Sequence, residues 1–212
     1  MTAFSQIELA NAALRACGQT SITSISQDDK GAREINRAWN LVRTSTLTKY
    51  RWNFAKKRDN LAADPDAPAF GFARRYAKPS DMLKLIGIGD DRETQRNYTS
   101  SDIIYKMEGG FILTDENAPL KIFYIRDVTD PAEFDPDFAQ VFTYRLALDI
   151  YYAVTKGVDR WKQIAQQLAQ AVAAAKMSHA IENTPEVIQA SDWVDARFSD
   201  GGPYGLRIGP VI

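Results

Sequence analysis

A single histidine, His179, and a single cysteine, Cys17, bound the acid–base and nucleophilic chemistry open to this sequence. Any Ser-His-Asp or Cys-His arrangement would run through His179, since imidazole exchanges a proton near neutral pH. His179 falls near the end of an alanine-rich helical stretch. A cation there suits the helix dipole, so it reads as a surface or helix-end residue. Cys17 falls on the apolar face of a first helix and reads as an inert packing thiol. One thiol excludes an intrachain disulfide and a multi-thiolate metal site. No CxxC pair, HExxH helix or GxxxxGK[ST] loop occurs. Asp90-Asp91 and Asp135-Pro136-Asp137 lack the spacing of a calcium loop. The chain has 27 acids, but no two stand out as the facing carboxylates that glycoside hydrolysis needs. No catalytic residue, metal ligand or cofactor is therefore expected. The run Trp52-Asn53-Phe54-Ala55-Lys56-Lys57-Arg58 offers aromatic faces beside cations, a pattern that also suits nucleic acid. Four basic residues in a chain of net charge −1 are a weak signal of that kind. The run reads instead as Trp52 and Phe54 entering a core, with Arg51, Lys56, Lys57 and Arg58 exposed or paired.

The elements that must hold these residues follow from periodicity. Of the 212 residues, 45% are hydrophobic and 25% charged, the balance of a globular chain large enough to fold without staples. No signal peptide or membrane span is expected. Spacings of three and four place Ile7, Ala10, Leu14 and Cys17 on one helix face, with Gly18 as the stop. Asp28 or Asp29 caps a second helix whose stripe is Ala32, Ile35, Trp39 and Val42. Prolines at 65, 68 and 79 exclude a helix from the next stretch. Strands are expected at Met82 to Ile88, Ile103 to Met107, Phe111 to Thr114 and Leu120 to Ile125. Glu108-Gly109-Gly110 signals a hairpin, and the last strand carries apolar residues on both faces. Asp135-Pro136-Asp137 starts a third helix with the face Phe138, Val141, Phe142, Arg145, Leu148 and Tyr152, ended by Gly157. Asp159 caps a fourth helix to about Ile181, lined by Trp161, Ile164, Leu168, Val172 and Ala175. The expected fold is α+β, mainly an α-helical bundle of about four helices. Residues 1–62 and 134–182 form the bundle, 63–133 a β-rich insertion, and 183–212 an extended C-terminal tail.

That tail is rich in apolar residues yet broken by Pro185, Pro203, Pro210 and several glycines. Tyr204, Leu206 and Ile208 recur every second residue and would share one side of an extended segment. Burying each such side chain is worth about 1.5–3 kcal/mol, against about 1–2 kcal/mol of backbone entropy per ordered residue. The segment is expected to order only against a matching groove, on its own bundle, a neighbouring copy or a partner. Trp193, Phe198, Tyr204, Leu206, Ile208 and Ile212 are its candidate docking residues.

Several segments in order resemble tail tubular protein A and related head-to-tail adaptors of short-tailed bacteriophages. They are Leu9-x-Asn11-x-x-Leu14-x-x-x-Gly18, Trp52-x-Phe54-Ala55-x-x-Arg58-x-x-Leu61 and Tyr76-x-x-Pro79-x-Asp81-x-Leu83. Phe123-Tyr124-Ile125, Phe134-x-x-x-Phe138 and the helix from Leu146-Ala147 to Ala153 continue the series. The likeness spans about Phe4 to Ile181. It implies a structural virion protein at the head–tail junction, assembled in the host cytoplasm as a ring of 12 copies. The bundle would contact the portal and the β-rich part the tail nozzle or fibres. C-terminal segments would help grip the portal, and the genome would pass through the lumen without sequence-specific contact. Some relatives are reported to hydrolyse peptidoglycan, which supplies a rival enzyme reading. A head-completion protein of a long-tailed phage is a third.

Overall fold

The computed structural model describes residues 3–89 and 103–182. Among them are four α-helices: α1 (Gln6–Ala16), α2 (Lys30–Lys49), α3 (Pro136–Thr155) and α4 (Trp161–Glu182). The six strands are β1 (Lys56–Leu61), β2 (Arg74–Ala77), β3 (Met82–Ile88), β4 (Tyr105–Glu108), β5 (Phe111–Thr114) and β6 (Leu120–Arg126). Short 3-10 turns occupy Asn53–Ala55 and Pro131–Glu133.

Local chemistry explains most helix ends. Ser5 and Glu8 form a reciprocal capping box at α1. At its other end Gly18 takes φ +74°, with Gly18 N–H on Arg15 O and Gln19 N–H on Leu14 O, the Schellman arrangement. Asp29 accepts from Gly31 N at 2.8 Å to start α2, and Asp135 accepts from Asp137 N at 2.9 Å to start α3. Lys156, not Gly157, takes the left-handed conformation that closes α3, at φ 61°. Gly109 and Gly110 both have positive φ, as the tight β4–β5 hairpin requires.

α3 packs against α1, α2 and α4. Phe138, Val141, Phe142, Leu146 and Ala147 are all buried in the same helical core. Two antiparallel three-stranded sheets, ordered β1-β6-β3 and β2-β5-β4, complete the fold. On β6, Leu120, Ile122 and Tyr124 enter a core shared with Tyr76 and Ile112 of the other sheet, while Ile125 enters the helical core. The first sheet is thus the middle layer between the helices and the second sheet. On β3, Leu83 and Ile86 pack on the helical side and Met82, Leu85 and Ile88 on the other. Strict alternation forbids that division. Register breaks at Met82/Lys84 and Leu85/Gly87 allow it, each shifting the side-chain parity by one.

These layers correct the expected architecture. Helices make up about 47% of the described residues and strands about 19%, so the fold is α+β and not a mainly helical bundle. The cause is that the sheet buries one face directly on the helices. β1 also begins at Lys56, inside the 1–62 stretch assigned to the helical bundle, and pairs along its whole length with β6. Two apolar faces are corrected too. Tyr152 is 66% exposed and Trp161 49% exposed, because α3 and α4 diverge into the turn that joins them. The tail 183–212, with Trp193, Phe198, Tyr204, Leu206, Ile208 and Ile212, lies outside the described residues, as does Asp90-Asp91. No helix among the described residues is long and apolar enough to cross a membrane.

Candidate functional site

The two residues with the most chemical promise do not meet. Cys17 Sγ donates to Ala147 O at 3.4 Å, midway along α3, and burial pushes its thiol up to about 11. The His179 ring lies edge-on to Trp52 at 5.2 Å, and Trp52 in turn lies 5.1 Å from Phe138. Phe138 and Ala147 are nine residues apart on one helix, roughly 13 Å along its axis. A thiolate–imidazole pair has no geometry here. His179 lies in the last turn of α4, the helix-end position expected, and its ring is half-buried against Trp52 rather than on the open surface.

Four of the segments that carry the family resemblance meet in pairs, Trp52 and Phe54 with Phe134 and Phe138, and Asp81 with Tyr124. Trp52 is buried, and its Nε1 donates to Thr46 O at 2.9 Å. Around it Phe54, Phe134 and Phe138 stack edge to face at centroid distances of 4.7 to 6.2 Å. Each such contact adds about 0.5–1.5 kcal/mol beyond area burial. Asp81 bridges β1 and β6 of the first sheet. Lys57 Nζ of β1 lies 2.8 Å from Asp81 Oδ2, and Tyr124 Oη of β6 donates to Asp81 Oδ1 at 2.8 Å. The Lys57 ammonium holds the Asp81 carboxyl below its ordinary range, while burial raises the Tyr124 phenol. Arg43, buried on α2, reaches across to the Asp127 carboxylate and to Val128 O at 2.8 Å, fixing the chain as it leaves β6 for α3. Arg43 lies on the buried stripe of α2, yet nothing in the local sequence pairs it with a residue 84 positions away.

Other carboxylates are similarly engaged. Asp64 and Asp66 both hold Arg75 at 2.9 Å, and the Arg75 guanidinium covers the Phe111 ring at 4.7 Å. Among the described residues no group of three or more His, Cys, Asp or Glu side chains is arranged to hold a metal ion. A shallow groove of about 290 Å³ at the edge of the first sheet is lined by Arg58, Asp59, Asn60, Gly89, Lys121 and Phe123. Among the described residues it holds one carboxylate, Asp59, where a glycosidase needs two facing each other.

The aromatic and basic run Trp52–Arg58 divides as its residue types suggest. Trp52 and Phe54 pack inward and Lys57 is ion-paired. Arg58 lies over the Phe123 ring at 4.9 Å. A cluster missed by sequence reasoning sits just before it. Lys49 Nζ and Lys176 Nζ lie 5.9 and 5.8 Å from the centroid of the half-buried Tyr50 ring, and Lys84 Nζ lies 3.5 Å from Thr48 O. These lysines come from α2, α4 and β3, so no local motif marks them.

No protein-family model matches this sequence, and no curated protein matches it significantly.

Proposed function

We propose that this protein is a structural component of a short-tailed phage virion, a ring-forming adaptor between the portal and the tail nozzle and fibres. One observation supports the reading above the others. The segments that resemble tail tubular protein A come from six parts of the chain, and they meet in pairs: Trp52 and Phe54 pack on Phe134 and Phe138 in the aromatic knot, and Tyr124 donates to Asp81 across the first sheet. A shared sequence pattern whose pieces pack on one another in this way is the pattern expected when a fold, rather than a catalytic site, is kept. The residues in those contacts are buried or mutually paired, which suits a scaffold whose work is done by its surfaces. The lumen of the ring would admit the genome without reading its sequence. Trp193, Phe198, Tyr204, Leu206, Ile208 and Ile212 are proposed to dock on a neighbouring copy or on the portal.

Electron microscopy of the purified chain mixed with its portal tests this directly. The expected image is a second ring stacked on the portal ring. Absence of a complex, together with release of soluble fragments from purified peptidoglycan by the isolated chain, would replace the adaptor with the hydrolase reading.

A further inference from the structure

Lys49, Lys84 and Lys176 are exposed, and none forms an ion pair among the described residues. In a chain of net charge −1, two of these cations approach the Tyr50 ring and the third approaches Thr48 O two residues before it. Helix-end electrostatics account for part of this arrangement. Lys49 lies in the last turn of α2, and Lys84 points at a carbonyl of the same turn. A helix C-terminus carries about −0.5 of a charge, so the one end that Lys49 and Lys84 share offsets about half a lysine of the three. Lys176 lies six residues before the end of α4, beyond the last turn where that field acts. A surplus of about two and a half positive charges among the three lysines remains.

We propose that this patch is a contact site for the phosphate backbone of duplex nucleic acid, held without regard to base sequence. Its dimensions fit. The Lys49 and Lys176 nitrogens lie 5.9 and 5.8 Å from the Tyr50 ring centroid and so are at most about 12 Å apart, within a span of about three successive phosphates on one strand. That distance is close to a Debye length of about 8–10 Å, so their fields overlap in physiological salt. Residue type also discriminates. Arginine is the side chain that grips carboxylates through a planar fork, whereas the lysine ammonium is a point charge with freely turning donors. Lysines on flexible stems suit a uniform row of phosphates better than an acidic segment of a partner protein. Both ammonium groups contact the Tyr50 ring, and both lysines remain exposed.

The test is fluorescence anisotropy of the isolated full chain with a labelled duplex of arbitrary sequence, titrated over salt. Binding should weaken with a log–log slope near about −2.7, or about 40-fold between 50 and 200 mM salt. Lys49→Gln/Lys84→Gln/Lys176→Gln should lose at least about 10-fold at low salt and flatten the slope. The control Lys30→Gln/Lys106→Gln/Lys162→Gln carries the same change in net charge and should bind as the unaltered chain does. Lys→Arg at the three patch positions should retain binding. The proposal is overturned if the unaltered chain does not bind, if both Gln variants lose affinity equally, or if poly-glutamate is bound more tightly than the duplex. The last result would assign the patch to an acidic protein partner. Because the isolated chain is measured, the outcome is independent of whether it forms a ring on a portal.

Discussion

Tyr124 Oη and Asp81 Oδ1 are 2.8 Å apart, joining the buried end of β6 to the turn before β3. Asp81 O also accepts from Asp127 N at 2.7 Å, so the residue is tied to the end of β6 by side chain and backbone together. The Lys57–Asp81 ion pair is 43% and 34% exposed on its two sides and screened accordingly, so the phenol bond dominates. Tyr124→Phe removes the donor and leaves Asp81 with Lys57 and water, at an expected cost of about 0.5–1.5 kcal/mol. Asp81→Ala strands the hydroxyl of a fully buried tyrosine and should cost more, about 1–3 kcal/mol. Urea denaturation with a common slope measures both, and equal losses would show that the hydroxyl finds another acceptor. The pH dependence has a fixed sign. The folded Asp81 carboxyl titrates below its ordinary value of 3.8. Its contribution is therefore complete above that pH and is lost as pH falls through the lowered folded value. Asp81→Asn should remove part of the acid sensitivity of the unaltered chain.

Cys17 titrates in the opposite direction. Burial raises its thiol from 9.0 to about 11, so the folded state favours the neutral form. Its contribution to stability is fully present below pH 9 and is lost as pH rises toward 11. Between those values the unaltered chain should lose stability that Cys17→Ala does not. At pH 8 the folded protein should resist iodoacetamide, since the thiolate is the nucleophile and is disfavoured in the helical core. Mass spectrometry of the alkylated chain with and without denaturant reads this out. Rapid native labelling would place Cys17 in an environment other than the α1–α3 contact.

Trp52 anchors the aromatic knot through both its ring and its Nε1. Trp52→Ala should destabilise by about 3–5 kcal/mol, the usual cost of a large cavity in a packed core. Trp52→Phe keeps most of the apolar contact but leaves Thr46 O without its donor at the end of α2, and should fall between the two. Thermal unfolding followed by circular dichroism orders the three proteins. A Trp52→Phe variant as unstable as Trp52→Ala would mean that the hydrogen bond outweighs the ring packing.

What the sequence makes legible is what short-range chemistry controls. Asp29 and Asp135 announce helix starts, Gly18 a helix end, and Gly109-Gly110 a hairpin, because each requirement is met within a few residues. The apolar content on both faces of β6 was equally legible, and it was the clue that this sheet is an internal layer. The weight given to a helical bundle went astray at β1. Lys56–Leu61 is highly charged, and its exposed edge position needs no apolar alternation to reveal it as a strand. Asp81, Arg43 and the Tyr50 lysines were illegible for a different reason. Their partners lie 36 to 84 residues away or on other elements, and only the folded chain brings them together.

The region after Glu182 offers the sharpest division between folding and function. Among the described residues, the buried members of both hydrophobic cores fall between Leu9 and Ala175. A chain ending at Asn183 should therefore keep its cooperative thermal transition close to that of the full chain. Trp193, Phe198, Tyr204, Leu206, Ile208 and Ile212 would still have been removed. At about 1.5–3 kcal/mol per buried side chain, six such residues can offset much of the ordering cost of an extended segment only where a complementary surface receives them. The truncated chain should consequently fold but fail to co-sediment with portal, and point changes Trp193→Ser and Leu206→Ser should each weaken that association by a measurable part of the whole. If truncation leaves portal binding intact, the docking role of those six residues is wrong. If it collapses the thermal transition instead, they belong to the fold of their own subunit and not to the contact between subunits.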